Sequence, residues 1–130
     1  MSIPYVYDAG ALIAIGNNDR RMWAIHHLAV EEARRIVVPA VVIGQASRDP
    51  RRQARLNALL HTCQIEPIGP EVSKAAGVLC GRAGTSDIVD AIVTVIALTL
   101  GAVVFTSDPK HILALAAESA AKPGLVIKTV

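Results

Sequence analysis

Short apolar segments alternate with longer segments of helical periodicity along the whole chain. A strand is predicted over 5–7, ending at Asp8, and the strongest strand signal is the apolar segment 102–106, which is followed by Ser107-Asp108. This alternation is typical of α/β folds, because parallel strands need a crossover connection, usually a helix. We therefore predict a three-layer α/β/α sandwich with a central twisted parallel sheet and helices on both faces.

The other segments continue the same alternation. Further strands are predicted over 35–38, 125–130 and, with a weaker signal, 64–68. Helices are predicted over 9–15, 21–34, 39–47, 49–60, 70–83, 87–100 and 109–120. Thr85-Ser86 is expected to cap the helix 87–100. That helix is almost entirely apolar after Asp90, so we expect it to be buried in the centre of the molecule.

Length and composition narrow the class of protein. A chain of 130 residues with 52% hydrophobic and 18% charged residues predicts one folded domain over 1–130 rather than intrinsic disorder. With only 3% aromatic residues, a base-stacking platform for single strands is hard to build. Cys63 and Cys80 lack C-x-x-C spacing and fit a reducing cytoplasm, and neither a membrane-spanning segment nor a signal peptide is expected.

The basic residues are unevenly distributed. Eight of the 13 Lys and Arg residues lie between Arg20 and Arg55, and all eight are arginines. A planar guanidinium group suits bidentate contacts to phosphate or carboxylate. A phosphate-binding face and an ordinary solvated helix surface both explain this pattern, and the sequence leaves the two open.

Aspartates occur where strands pass into helices and where the buried helix begins. Asp8 and Asp108 follow predicted strands, and Asp90 lies in the first turn of the helix 87–100. Ligand sites of parallel sheets lie beyond the carboxyl ends of the strands, so these three side chains could meet there. Asp87 shares a helix face with Asp90, and a divalent cation would offset their repulsion. Each acid alone also fits a helix cap, but together they predict a site for Mg²⁺ or Mn²⁺.

Other site chemistries find little support. His26 and His27 are adjacent and His61 and His111 are isolated, so each is expected to be a surface or capping residue rather than a zinc ligand. The chain has no Gly-rich phosphate-binding motif and no nucleophile elbow. A haloacid-dehalogenase-like phosphatase would need an acid two residues after Asp8, where this chain has glycine.

Four segments share their order and spacing with a known family: 7–13 (YDAGALI), 38–45 (VPAVVIGQ), 86–91 (SDIVDA) and 104–109 (VFTSDP). By these segments nearly the whole chain resembles the PIN domain, in particular the short VapC-type toxins of type II toxin–antitoxin pairs. The resemblance implies a ribonuclease that cuts RNA with the help of Mg²⁺ or Mn²⁺ held among four acids.

The resemblance matches Asp8, Asp90 and Asp108 to three of those acids, as metal ligands and catalytic residues. The second acid, usually Glu, is here Gln45, whose amide carries no charge. Asp87 is the candidate for supplying the missing charge. The alternative to an active nuclease is therefore a PIN-like protein, with weak or no nuclease activity, that binds RNA or an antitoxin.

Further roles follow from the same resemblance. A carboxylate, Asp87 or Asp90, would position or deprotonate the attacking water, and Thr106 or Ser107 would orient a ligand or a metal-bound water. The RNA backbone would be held by arginines: Arg48, Arg51, Arg52, Arg55 and Arg82. The implied partners are RNA, a cognate antitoxin and a second copy in a homodimer. The apolar residues of the helical segments 22–30 and 56–60 either make these protein contacts or pack on the sheet.

Overall fold

The computed structural model describes residues 2–119 and 125–130, which contain a five-stranded parallel sheet. In chain order its strands are β1 (Tyr5–Tyr7), β2 (Ile36–Pro39), β3 (Gln64–Glu66), β4 (Val103–Thr106) and β5 (Val126–Thr129). Their spatial order is β3-β2-β1-β4-β5, with β1 in the centre and every neighbouring pair parallel.

Helices connect and cover the strands. They are α1 (Ala9–Gly16), α2 (Arg20–Glu31), α3 (Ala40–Ala46), α4 (Gln53–Leu60), α5 (Pro70–Ala83), α6 (Ile88–Leu100) and α7 (Pro109–Ala117), with a short 3₁₀ turn at Pro50–Arg52. The predicted three-layer α/β/α sandwich with a central parallel sheet is confirmed.

Several predicted boundaries were wrong, each for a local reason. The segment predicted as one helix over 49–60 is divided into the 3₁₀ turn and α4. Helix α2 stops at Glu31, because Ala33 adopts a positive φ of 54° that does not continue a right-handed helix. Helix α7 ends at Ala117, and the predicted end at residue 120 lies outside the described residues.

The cap of α6 also differs from the prediction. Asp87 itself is the N-cap residue, since its Oδ1 accepts a hydrogen bond of 3.2 Å from the backbone N–H of Asp90. Thr85 lies before the helix, and its Oγ1 accepts a hydrogen bond from the N–H of the cap residue Asp87. The carboxylate therefore satisfies one of the free N–H groups at the start of the helix, which the hydroxyls of Thr85-Ser86 were expected to do.

The core lies on both sides of β1, β2 and β4. Helix α6 contributes a run of buried residues, Ala91, Ile92, Val93, Thr94, Ile96 and Ala97, which confirms its predicted burial. The apolar residues Leu56 and Leu59 of α4 are also buried, so they pack in the core rather than face a partner. On α2, Met22 is buried, whereas Leu28 and Val30 are exposed.

Among the described residues no single helix has the length and apolar composition needed to cross a membrane. Helices α5 and α6 pass that test only as a pair, and they are bent by 114° at the break between them.

Candidate active site

Two of the predicted site acids lie at the carboxyl edge of the sheet, each capping the helix that follows its strand. Asp8 follows β1 and its Oδ1 accepts from the N–H of Ala11 at 3.2 Å. Asp108 follows β4 and its Oδ1 accepts from the N–H of His111 at 3.3 Å. Because β1 and β4 are adjacent, with Tyr7 paired with Phe105, these two acids leave the sheet on neighbouring strands.

Thr106 connects these two positions. Its side chain is fully buried, and its Oγ1 accepts a hydrogen bond of 3.0 Å from the N–H of Asp108. The same side chain hydrogen-bonds the carboxyl group of Asp8. The last residue of β4 thus ties the end of its own strand to the acid that follows β1.

Ser107 lies against Gly10 in the first turn of α1. A Cβ atom at Gly10 would stand only 2.5 Å from the Oγ of Ser107, which is far inside van der Waals contact. Glycine at position 10 therefore allows the start of α1 to approach the end of β4 closely. This close approach keeps Ser107 beside the helix that Asp8 caps.

The other two predicted acids form a compact group with a histidine. The Nδ1 atom of His111 lies 2.7 Å from the Oδ2 of Asp90 and 3.8 Å from the Oδ2 of Asp87. One ligand atom from each of these residues lies within 4.8 Å of the other two. The structure thus places the first turn of α7 beside the first turn of α6.

Two of the sequence-based expectations for histidines were wrong. His111 was expected to be an isolated surface or capping residue, but it bonds Asp90 across two helices. Its position three residues after Asp108, on the first turn of the next helix, was the signal that could have identified it. His26, also expected to be a surface or capping residue, is only 2% exposed and bonds Tyr7 and Thr62 inside the fold.

Burial raises the pKa values of two of the site acids, Asp8 and Asp90. Asp8 is 5% exposed, and burial, aided by repulsion from Asp90, raises its pKa from 3.8 to about 6 against the lowering effect of its hydrogen bonds. Burial also raises the pKa of Asp90, with a further rise from Asp87 and an opposing effect of the bond to His111. Partly buried carboxylates that repel one another would gain from a cation, and a set of carboxylate oxygens with one imidazole fits a divalent ion.

Gln45 lies on α3, which packs against α1, the helix capped by Asp8. Its side chain is half-buried, and within residues 2–119 and 125–130 its amide makes no hydrogen bond. The position matched to an acid therefore has a neutral group without a partner in the described part of the chain.

Two of the predicted RNA-binding arginines lie at the opposite end of α1 from Asp8. The Nε of Arg52 donates to the Oδ1 of Asn17 at 2.8 Å, and Arg55 donates to the carbonyl of Gly16 at 3.3 Å. Since α1 has 8 residues, these contacts lie about 12 Å from the acid that caps its N-terminus. Both arginines hold the C-terminal end of α1.

In the part of the chain that the structure describes, the remaining three arginines make no hydrogen bond to α1. Arg48 is exposed, and Arg51 is exposed but pairs with Asp49 at 3.0 Å. Arg82 donates to the carbonyl oxygen of Glu118 at 3.3 Å, linking the end of α5 to the end of α7. Among the described residues, none of the five arginines therefore makes a hydrogen bond or ion pair with a site aspartate, and their contacts lie at several places on the molecule.

Solved structures share this fold. A chain from the crystal structure of VapBC2 from Rickettsia felis, bound to a DNA fragment from their promoter, matches with a TM-score of 0.72 and 14% identity, covering 98% of this chain and 99% of that chain. DNA-bound VapBC from Salmonella typhimurium matches with a TM-score of 0.68 and 16% identity, covering 98% of both chains. PAE2754 from Pyrobaculum aerophilum matches with a TM-score of 0.61 and 19% identity, covering 98% of this chain and 92% of that chain.

Among curated proteins, none matches this sequence. The profile of the PIN domain family, however, matches residues 5–118. That range runs from β1 into the end of α7 and includes all four aspartates of the site. The chain therefore belongs to the PIN domain family.

Proposed function

We propose that this PIN domain is a VapC-type endoribonuclease that hydrolyses RNA phosphodiester bonds with Mg²⁺ or Mn²⁺. The observation that carries the proposal is the burial of Asp8, which is only 5% exposed at the carboxyl edge of the sheet, where repulsion from Asp90 adds to the rise of its pKa that burial causes. Such an arrangement costs stability in the free protein, since both groups are desolvated and like-charged. A bound divalent cation would remove this repulsion, and the free energy regained would contribute to its binding.

Asp8, Asp90 and Asp108 are the proposed ligands of that cation. When bound, it would supply electrostatic stabilisation of the scissile phosphate and of the leaving oxygen. Thr106 keeps the Asp8 carboxylate in place through its hydrogen bond, and Ser107 stands against Gly10 in the helix that Asp8 caps. Oriented ligands of this kind bind with less loss of side-chain freedom.

Asp87 is the proposed proton acceptor for the attacking water. It is the most exposed member of the compact group, and one of its oxygens already accepts the N–H of Asp90. Its other oxygen is 3.8 Å from His111 Nδ1, too far for a hydrogen bond. That oxygen can therefore accept a proton from a water molecule.

The RNA backbone is the proposed ligand of the five arginines Arg48, Arg51, Arg52, Arg55 and Arg82. Arg48 and Arg51 are exposed and, within residues 2–119, are not bonded to the end of α1 as Arg52 and Arg55 are, so they can reach a phosphate without breaking a contact with the core. Recognition would rest on the backbone and shape of the RNA rather than on base stacking, because only 3% of the chain is aromatic.

A cognate antitoxin, a homodimer and a cytoplasmic location complete the proposal. The antitoxin is suggested by the fold shared with chains of two VapBC structures. The exposed residues Leu28 and Val30 of α2 are candidates for a protein contact. Both cysteines are free, which fits a reducing compartment.

The second candidate function is a PIN domain that binds RNA or an antitoxin but cleaves weakly or not at all. The specific observation in its favour is Gln45, a neutral side chain at a position matched to an acid. A site with one charge fewer would hold a divalent cation less tightly.

An RNA cleavage assay of the purified protein with Mg²⁺, Mn²⁺ or a chelator tests the proposal. Asp8→Asn and Asp90→Asn should each reduce cleavage by roughly a hundredfold or more, because each removes a charged ligand. Asp19→Asn is the matched control, since Asp19 also caps a helix, by accepting from the N–H of Met22 at 2.8 Å, but lies outside the site.

The outcomes separate the two functions. Cleavage that needs the metal and both site aspartates supports the nuclease. Cleavage that survives the chelator or both substitutions would contradict it. RNA binding without metal-dependent cleavage by the natural protein would favour the binding protein.

A further inference from the structure

We propose that the Nδ1 atom of His111 is itself a ligand of the cation site, which makes the site prefer Mn²⁺ to Mg²⁺. This inference rests on the proposed function, because it concerns the same cation. It assigns to the imidazole on α7 the additional ligand that the uncharged Gln45 on α3 does not supply.

The geometry is the first support. The Nδ1 of His111 lies 2.7 Å from the Oδ2 of Asp90, and one donor atom each of Asp87, Asp90 and His111 lies within 4.8 Å of the other two. Two ligands of one ion with bonds of about 2.1 Å can stand at most about 4.2 Å apart. The Nδ1 of His111 and the Oδ2 of Asp90 are therefore already within the separation that two ligands of one ion can have, and Asp87 lies beside them as the proposed proton acceptor.

The second support for the proposal is that the backbone at His111 is held in place. His111 lies on the first turn of α7, where the backbone N–H is held by the Oδ1 of Asp108. Its side chain is 24% exposed and packs at the contact between α6 and α7. The residue that positions His111 is thus another proposed ligand, so both are carried by the same rigid helix start.

The third support for the proposal is the second ring nitrogen of His111, Nε2. Within the described part of the chain, the Nε2 of His111 makes no hydrogen bond. In the free protein Nδ1–H can donate the 2.7 Å hydrogen bond to Asp90. Because Nε2 has no partner among the described residues, the ring can carry its proton there instead when a cation takes the Nδ1 lone pair. His26 lacks this option, since both of its ring nitrogens are bonded inside the fold.

The donor chemistry then decides which ion is favoured. Mg²⁺ prefers an all-oxygen environment and keeps several waters, whereas imidazole nitrogen suits later divalent metals. Replacing one carboxylate by an imidazole removes a negative charge, which weakens Mg²⁺ binding most. A site of aspartates and His111 should therefore discriminate between the two ions.

Titrations of the full-length protein with MnCl₂ and MgCl₂ by calorimetry, at about pH 7.5, test this assignment. In His111→Asn the affinity for Mn²⁺ should fall about tenfold or more, an effect of at least about 1.4 kcal/mol, while the affinity for Mg²⁺ changes by less than about threefold. His61→Asn is the matched control, since His61 is an exposed histidine at the end of α4, outside the site. Circular dichroism of each variant verifies folding.

A spectroscopic readout separates direct ligation from positioning. Pulsed electron paramagnetic resonance of Mn²⁺ bound to the natural protein should show coupling to a ¹⁴N nucleus, and His111→Asn should abolish it. Equal weakening of both ions in His111→Asn, or no ¹⁴N coupling in the natural protein, would overturn the assignment and leave His111 only as a hydrogen-bond partner of Asp90.

The result is distinguishable from that of the cleavage assay. Nitrogen-coupled Mn²⁺ binding by a protein that cleaves no RNA supports the inference and contradicts the nuclease. Metal-dependent cleavage without nitrogen coupling supports the nuclease and overturns the inference.

Discussion

His26 and His111 show two opposite ways in which this fold treats a histidine. His26 is enclosed: its Nδ1 lies 3.0 Å from the hydroxyl of Tyr7 and its Nε2 lies 2.7 Å from the Oγ1 of Thr62. The Thr62 hydroxyl donates to the carbonyl of Leu59, so it accepts from Nε2–H, and Tyr7 donates to Nδ1. Burial lowers the pKa of His26 from 6.5 to about 4, with a smaller contribution from His27.

His111 instead faces carboxylates that repel one another. The two regions meet at consecutive residues, since Tyr7 belongs to the enclosed network and Asp8 to the carboxylate region, which consists of the four site aspartates and His111. In the first region every polar atom has a partner, which stabilises the fold. In the second, like charges are brought together at a cost in stability, which is how sites that await a cation differ from structural polar networks.

The largest expected effect contrasts the two histidines directly. His26→Ala should lower the free energy of unfolding by about 3–5 kcal/mol, because it opens a cavity and leaves the buried Tyr7 hydroxyl unpaired. His111→Ala should cost roughly 1 kcal/mol, since its side chain is partly exposed. Urea unfolding measures both, with the exposed His27→Ala as control, and equal losses at His26 and His111 would contradict the contrast.

Acidification should change the free energy of unfolding in opposite directions through the two regions. His26 has a folded pKa of about 4, below its usual 6.5, so the unfolded state binds the extra proton and acidification from 6.5 to 4 destabilises the protein. Asp8 has a folded pKa of about 6, above its usual 3.8, so the folded state binds the extra proton and the same acidification stabilises the protein.

Two variants measure these opposing contributions. Relative to the natural protein, Asp8→Asn should lose about 2–3 kcal/mol more of its unfolding free energy between pH about 6.5 and 4, and His26→Phe should lose about 3 kcal/mol less. Urea unfolding at several pH values gives both profiles. If both variants shift the profile in the same direction, the two regions do not differ as described.

A divalent cation should raise the free energy of unfolding by binding in the carboxylate region, and not through the network around His26. At roughly a hundredfold excess over Kd, Mg²⁺ or Mn²⁺ should add about 2.7 kcal/mol, which raises Tm by several degrees. The increase should disappear in Asp90→Asn and persist in Asp19→Asn and His26→Phe. Thermal unfolding with and without the ion measures it, and the absence of a shift in the natural protein would count against a cation site.

The smallest expected effect concerns the missing charge at Gln45. Gln45→Glu should tighten Mg²⁺ or Mn²⁺ binding by roughly tenfold and increase RNA cleavage, because a carboxylate replaces a neutral amide beside the cation. If Asp87 already supplies that charge, Gln45→Glu leaves the affinity unchanged or lower and Asp87→Asn weakens it. Equal affinity and cleavage in the natural protein, both single variants and the double variant would restrict the site to Asp8, Asp90 and Asp108.

Local rules were enough to predict the framework from the sequence. The order of strands and helices follows from hydrophobic periodicity, and the positions of Asp8 and Asp108 follow from where strands end and helices begin. The carboxyl ends of parallel strands share one edge, so the sequence also predicts on which edge these two acids lie. Each of these inferences depends on residues within one or two turns of one another.

The sequence by itself thus determined the parallel α/β framework and the acids at its carboxyl edge, while the tertiary structure alone decided their partners. His111 bonds Asp90 across 21 positions, and His26 reaches Thr62 across 36. Both contacts depend on how helices pack over the sheet, which is set by the summed packing of many side chains rather than by any local pattern. Periodicity places a histidine on a helix, but only packing decides whether it faces hydroxyl groups or carboxylates.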